Sequence, residues 1–361
     1  MKIYVILNEK SPRAHSDVYH AMDYLKQKGI INEYQINPFE YHLQQGLTQK
    51  NLNTNIMDEC KEFLPDIILW MHTDSFDVSD HTINYLKRLD SHPVIGYWDG
   101  DLYESPYRPA PKELLELASR CDVVFLQGYN EVAEQLLKKG TKDIRFVPSF
   151  GDERFYSIER KEENIEYNVV MIGNNIQSRN PFRLSMNGTK LRNRVIYYFS
   201  KKLGTKFAVY GNGWKGSFAK GPIGYNEQSK IYHKSKIAIR INNYSGKYYF
   251  SDGLPIAMLS GIPIVHNYEE GFDELWKSNP GLKFFKSVDE AWELTELLLS
   301  KNINEINEIG YNLSKYALNN LTHLIVFKYM VNVLKNLCMK NKGQIDTVEI
   351  TNYWHVKSFT E

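Results

Sequence analysis

Two carboxylates stand one residue apart in Asp99-Gly-Asp101, directly after the apolar run Pro93–Trp98. A carboxylate at the end of a strand can take the proton of a hydroxyl. Asp99, nearer the run, is the first choice for such a general base and Asp101 the second. Hard oxygen ligands at alternate positions would also suit Mg²⁺ or Mn²⁺, and a solvated turn is a third reading. A second group lies in Ser251-Asp252-Gly253-Leu254. Ser251 and Asp252 are good N-cap residues, and Gly253 allows close backbone approach. A short helix is expected over Leu254–Ser260, stopped by Gly261, with a strand following over Ile262–His266. Free N–H groups and the dipole at that helix start would receive an anion; an ordinary αβ unit has the same pattern.

Three further loops carry hydrogen-bonding and phosphate-compatible residues after strand-like runs. They are Gly173-Asn174-Asn175-Ile-Gln-Ser-Arg179, Tyr210-Gly211-Asn212-Gly213-Trp214 and Gly221-Pro-Ile223-Gly-Tyr225. Arg179 or Arg183 would fork onto phosphate, and Ile223 with Tyr225 would hold a flat base. In the first half, Glu9, Arg13 and His15 follow the first strand, while His72 and Asp74 end another. The chain has no nucleophile elbow, Walker loop or paired-cysteine ligand spacing. Its 3 cysteines, Cys60, Cys121 and Cys338, form neither a metal nor a redox pattern.

The elements that would position these residues alternate. Strands are expected at Lys2–Leu7, Glu33–Asn37, Asp66–Met71, Pro93–Trp98, Asp122–Leu126 and Asp143–Val147, with helices between them. The segment from Pro148 to Ile165 breaks the rhythm and reads as a connection. Alternation restarts with strands Asn168–Ile172, Lys206–Tyr210, Lys236–Ile241, Ile262–His266 and Leu282–Phe285. Helices close the chain, ahead of a polar tail with a short strand at Thr347–Thr351. Runs apolar on both faces argue for parallel sheets covered on both sides. At 361 residues, two domains are the natural prior. With 44 Lys and Arg against 43 Asp and Glu, the net charge of +1 advertises neither nucleic acid nor membrane globally. Locally, Lys190, Arg192, Arg194, Lys201, Lys202 and Lys206 could form a basic face. No apolar run reaches the roughly 18 residues of a membrane span, so a reducing, cytoplasmic setting is expected.

Val169–Asn175, Phe207–Trp214, Gly221-Pro-Ile223, Glu227–Ile239 and Ala257–Val265 follow one another in an order that resembles the nucleotide-binding half of GT-B glycosyltransferases. The resemblance is greatest to the spore-maturation-like, group 1 branch, and it covers Tyr167 to Trp276. Pro65–Leu69, Asp122–Phe125 and Phe146–Phe150 fit the other half by position. A looser likeness is to phage DNA β-glucosyltransferases. The resemblance implies an α/β GT-B-like fold of two Rossmann-like, doubly wound domains facing across a cleft, with a helical C-terminus. Residues 1–160 would form the acceptor domain, 161–320 the nucleotide-sugar domain, and 321–361 a helix and tail packing back on the first. A nucleotide sugar, UDP-linked by preference, would lie against the four loops. The acceptor, a glycan or a hydroxymethylated base of phage-type DNA, would meet Glu9, Arg13, His15 and His72, with Asp99 or Asp101 as base. No cofactor or resident metal is implied, although Asp-x-Asp clamps a divalent cation in the other glycosyltransferase fold. One departure stands out: the acidic residue usual five positions before Gly261 is Ile256 here. A sugar-nucleotide epimerase and a catalytically impaired binding protein are the alternatives.

Overall fold

The computed structural model describes residues 1–361 except 74, 75, 107, 157–161, 177–186, 280, 345–347, 352, 353, 355, 357 and 361. The chain divides into two units, Met1–Val147 with His323–Glu361, and Pro148–Thr322. The change of unit at Val147/Pro148 comes earlier than the expected 160.

The first unit runs β1 (Lys2–Leu7), α1 (Ser16–Gln27), β2 (Glu33–Pro38), α2 (Phe39–Gln44), α3 (Gln49–Phe63), β3 (Ile67–Met71), α4 (Asp80–Lys87), β4 (Val94–Asp99), α5 (Lys112–Ala118), β5 (Val123–Leu126), α6 (Glu131–Lys138) and β6 (Ile144–Phe146). All its strands pair in parallel, in the order β2-β1-β3-β4-β5-β6. Strands β3, β4 and β5 are buried at every position, which is why they read as continuous apolar runs rather than alternating ones. Several helices start where a side chain can satisfy free N–H groups. Thr48 caps α3, Ser79 caps α4 and Asn130 caps α6. Helix α1 differs: its cap position is His15, without a side-chain bond.

The second unit holds β7 (Tyr167–Ile172), α7 (Asn187–Leu203), β8 (Phe207–Tyr210), β9 (Ala219–Gly221), α8 (Gln228–His233), β10 (Ser235–Arg240), α9 (Gly253–Leu259), β11 (Ile264–Asn267), α10 (Phe272–Leu275), β12 (Lys283–Phe285), α11 (Val288–Leu299) and α12 (Ile303–Asn320). Its sheet order, β12-β11-β10-β7-β8-β9, is the Rossmann order, with the chain reversing direction between β7 and β10. Every residue of α9 is buried, and Ile256 is core with no solvent exposure (0%).

The last helix, α13 (His323–Asn341), belongs to the first unit, where it packs on α1, β3 and β4. Gly96 of β4 makes room for it: a Cβ there would lie 2.8 Å from Leu334 Cδ2. The tail is better specified than its polarity suggested. Trp354 is buried against Phe146 and Tyr329, and the Phe359 N–H donates to the Ile144 carbonyl at 2.9 Å. The strand expected at Thr347–Thr351 is absent over 348–351, where Val348 instead pairs with the Asn336 amide; residue 347 lies outside the described residues.

Candidate functional site

In open parallel sheets ligands bind beyond the carboxyl ends of the strands, at the point where the strand order reverses. In the second unit that point lies between β7 and β10, and two arginines occupy it. Arg240, the last residue of β10, donates from Nη1 to the Ile172 carbonyl at the end of β7 and from Nη2 to Ser251 Oγ at 3.2 Å. Arg192, from α7, donates to the Asn174 carbonyl at 2.7 Å and to the Ile241 carbonyl. Each guanidinium thus ties the loop after β7 to the loop after β10. They are 5% and 7% exposed for Arg192 and Arg240, and neither pairs with a carboxylate among the described residues. The Nε of each is buried without a hydrogen-bond partner there. Burial, together with the charge of Arg240, pushes Arg192 down to about 9. Two desolvated like charges are costly unless something anionic joins them.

Gly253 is a condition of this arrangement. A Cβ on it would come 1.7 Å from Arg240 Nη2, so only glycine leaves room for the guanidinium. The anion site expected at the start of α9 is corrected in the same place. Asp252 puts its own carboxylate there, accepting from the Gly253 N–H at 2.8 Å, and Leu254 is fully buried. The positive groups here are the guanidiniums rather than the helix end, where the Gly253 N–H is taken by Asp252. Ser251, Asp252 and Gly253 still border the site, through Arg240.

The expected loop residues bind one another. Asn174 Oδ1 accepts the Asn212 N–H at 2.8 Å, and the Asn175 N–H donates to the Asn212 carbonyl at 2.8 Å. Trp214 Nε1 donates to the Gly173 carbonyl at 2.7 Å. Gly211, at φ 140°, allows this close approach, since a Cβ there would lie 2.4 Å from the Gly173 oxygen. Asn175 also reaches the Gly213 carbonyl, at 3.4 Å, and the Tyr210 hydroxyl lies 3.4 Å from that of Tyr167. Ile223 is half-buried, and Tyr225 is exposed with its ring edge-on to Phe155. Arg179, Arg183 and Asp74 lie outside the described residues.

A buried carboxyl, Glu269, follows β11. It accepts from Asn267 Nδ2 at 2.7 Å and Asn242 Nδ2 at 3.4 Å. Asn242 in turn accepts the Ser251 N–H at 3.4 Å, so Glu269 helps hold the loop that delivers Ser251 to Arg240. Burial pushes Glu269 up to about 7. The folded state then holds this proton where the unfolded chain has released it, so stability falls as pH rises from about 4.5 to about 7. The upper bound on that loss is about 3 kcal/mol. Glu269→Gln is expected to flatten the decline, and urea midpoints at pH 5 and pH 8 would measure it; an unchanged slope would remove Glu269 as its source.

In the first unit, Asp99 is 1% exposed and surrounded by donors. Its Oδ1 lies 3.0 Å from His72 Nδ1 and accepts the Asp101 N–H at 2.8 Å. Its Oδ2 accepts from the hydroxyls of Tyr97 at 3.0 Å and Tyr103 at 3.3 Å. Burial alone would raise its pKa, but the adjacent His72 and these hydrogen bonds outweigh it and hold the carboxyl below its ordinary range. His72 Nε2 accepts the Gly100 N–H at 3.2 Å, which places the ring proton on Nδ1, facing Asp99. His72 is also held at φ 58°, a left-handed conformation rare outside glycine and frequent at functional positions. Asp101 is the more open carboxylate and pairs with Arg108 at 2.5 Å.

His72, Asp99 and Asp101 bring ligand atoms within 4.8 Å of one another. That donor set does not fit a cation at His72 Nδ1, because Nδ1 carries the proton it gives to Asp99. The acceptor candidates on the loop after β1 are partly committed. Glu9 is fully buried, accepting from the Tyr19 hydroxyl at 2.5 Å and the His15 N–H at 3.2 Å. Arg13 stacks over Tyr19 at 5.4 Å, while His15 is exposed. Sequence reasoning missed Arg192 and Arg240 as site residues. The apolar neighbours of Arg240 in Ser235–Ile241 were the available signal.

Residues 192–323 match the model of a glycosyl transferase-like family. No curated protein matches the chain. Among solved structures it is similar to a glycosyltransferase from Rickettsia africae, with a TM-score of 0.60, 11% identity and coverage of 94% of this chain and 99% of that one. It is similar to HepE of Anabaena in complex with UDP and glucose, with a TM-score of 0.54, 13% identity and coverage of 93% and 99%. It is also similar to a putative UDP-N-acetylglucosamine 2-epimerase from Listeria monocytogenes, with a TM-score of 0.52, 12% identity and coverage of 97% and 99%. The fold is accordingly GT-B-like: two α/β units, each built on a six-stranded parallel sheet.

Proposed function

We propose that this GT-B-like chain is a glycosyltransferase that moves a sugar from a UDP-sugar to an acceptor hydroxyl, of a glycan or of a hydroxymethylated DNA base. The observation that carries the reading is the buried pair Arg192 and Arg240, without a carboxylate partner among the described residues, at the strand-order reversal of the second unit. Guanidiniums there supply positive charge that offsets the negative charge a diphosphate leaving group gathers as the bond to the sugar breaks. The loop ends that they tie together, at Gly173–Asn175 and Ser251–Gly253, would flank the diphosphate, with Ile223 and Tyr225 beside the base. The UDP bound by similarly folded HepE supports the choice of nucleotide.

On the acceptor side, Asp99 acts through His72. The acceptor O–H would replace the Gly100 N–H at His72 Nε2 and pass its proton there as the new bond to the anomeric carbon forms. The bond from that carbon to the phosphate oxygen breaks with its electron pair, and UDP leaves. Asp99 keeps the ring in the required tautomer and stabilises the imidazolium.

The test is a thermal-shift comparison of UDP-, GDP- and TDP-sugars. At about 100 times its Kd, a ligand specific to the folded state stabilises it by about 2.7 kcal/mol. UDP-sugars are expected to raise Tm most; no rise with any of them would overturn the reading. The resemblance in fold to an epimerase keeps one alternative alive. Product analysis with UDP-sugar alone separates the two, since an epimerase turns over its donor without an acceptor.

A further inference from the structure

The 44 cations and 43 anions of this chain are unevenly placed. From Tyr167 to Asn226, through β7, α7, β8 and β9, there is no Asp or Glu, yet the stretch holds ten Lys and Arg. With the two charge types almost equal in number overall, this half of the second unit's sheet is a cationic region within a neutral protein. The fold then sorts these cations. Arg192 is drawn inward to the site described above, whereas Lys190, Arg194 and Lys201 stay exposed. Their spacings of four and seven residues put them along one side of α7, in line with Tyr197. Tyr197 is 55% exposed, and its ring meets Phe218 edge-on at 6.0 Å. Lys215 and Lys220, to either side of Phe218 in sequence, are exposed as well. Among the described residues, none of these five cations has a carboxylate within ion-pair distance.

We infer that this side of α7 is a docking surface for an anionic phospholipid bilayer. At 17 residues α7 is about 25 Å long, an extended row of charge rather than a pocket. Four of the five cations are lysines, which act as hydrated point charges and suit the diffuse field of a lipid surface. A nucleic-acid surface would instead favour the forked geometry of arginine. Tyr197 stands among the cations with an apolar ring and a polar tip, the combination favoured at headgroup depth. The surface goes beyond the transfer reading and stands if that reading fails, because it needs neither donor nor catalysis.

The test is co-sedimentation of the full chain with vesicles of phosphatidylcholine alone and of equimolar phosphatidylcholine and phosphatidylglycerol. Binding is expected only to the second, weakening as salt shortens the reach of the charges. The triple variant Lys190→Glu, Arg194→Glu, Lys201→Glu is expected to bind at least about 100-fold more weakly, given the contribution of each cation near such a surface. The variant's melting curve shows that it is folded, and the salt titration of the unaltered chain reads the same field without any substitution. Three results would overturn the inference: no binding to anionic vesicles at low salt, undiminished binding by the folded triple variant, or tighter binding to duplex DNA than to the anionic vesicles.

Discussion

Gly253→Ala is expected to abolish stabilisation by UDP-sugars and to lower the stability of the free protein. The added methyl would fall 1.7 Å from Arg240 Nη2, which is covalent rather than van der Waals distance, so the guanidinium must leave. Arg240 would then lose the buried Ile172 carbonyl and the half-buried Ser251 Oγ, and the tie between β7 and the loop after β10 would open. Overpacking of this kind costs about 1–3 kcal/mol before the lost hydrogen bonds are counted. Donor affinity should fall by about 100-fold or more if Arg240 makes charge-assisted bonds to the diphosphate. Chemical denaturation and calorimetry with a UDP-sugar measure the two effects separately. Arg240→Gln separates the causes: it leaves room at Gly253 while removing the guanidinium, its charge and its two Nη donors. An unchanged donor affinity in both variants would take Arg240 out of the binding site.

Asp99→Asn is expected to lower kcat by about 10²- to 10⁴-fold with donor affinity unaltered. An amide of nearly the same shape replaces a carboxylate that is 1% exposed and hydrogen-bonded on both oxygens. It cannot stabilise a charged His72, and an NH2 turned toward Nδ1 would favour the opposite tautomer. His72→Gln should be as severe, and the double variant no worse than either single one, because the two residues act as a unit. Asp101→Asn should be far milder, since that side chain is open and pairs with Arg108. Kinetics on the four proteins decide the matter. Equal losses at Asp99 and Asp101, or wild-type turnover in Asp99→Asn, would dismiss the His72–Asp99 pair.

The architecture was legible because parallel strands buried on both faces leave an unmistakable record. Ile67-Ile-Leu-Trp-Met71 and Val123-Val-Phe-Leu126 contain no polar residue, and both are strands. Short elements left less of a trace. The three-residue β9 and four-residue α10 left no assignable pattern because neither is long enough to show a period. Chemistry was legible by position more than by role. Asp99 stands at a strand end as expected, but only folding shows that Tyr97, Tyr103 and His72 enclose it. The asparagines of the Gly/Asn loops looked available to a ligand because a sequence cannot tell an amide facing solvent from one facing the next loop. Arg192 was grouped with its neighbours as a surface cation, although it lies on the helix face with Val195, Ile196 and Phe199. A positive charge in an apolar stripe was the clue to its different fate.

The membership of α13 in the first unit bears on the order in which the protein is made. The ribosome emits Met1–Val147 first, yet the face of β3 and β4 around Gly96 waits for Leu334 and its neighbours. The second unit, Pro148–Thr322, is one uninterrupted segment. Synthesis therefore completes the middle of the chain before its beginning, and the nascent first unit carries an uncovered apolar face through that interval. That interval is when the growing chain most needs a chaperone.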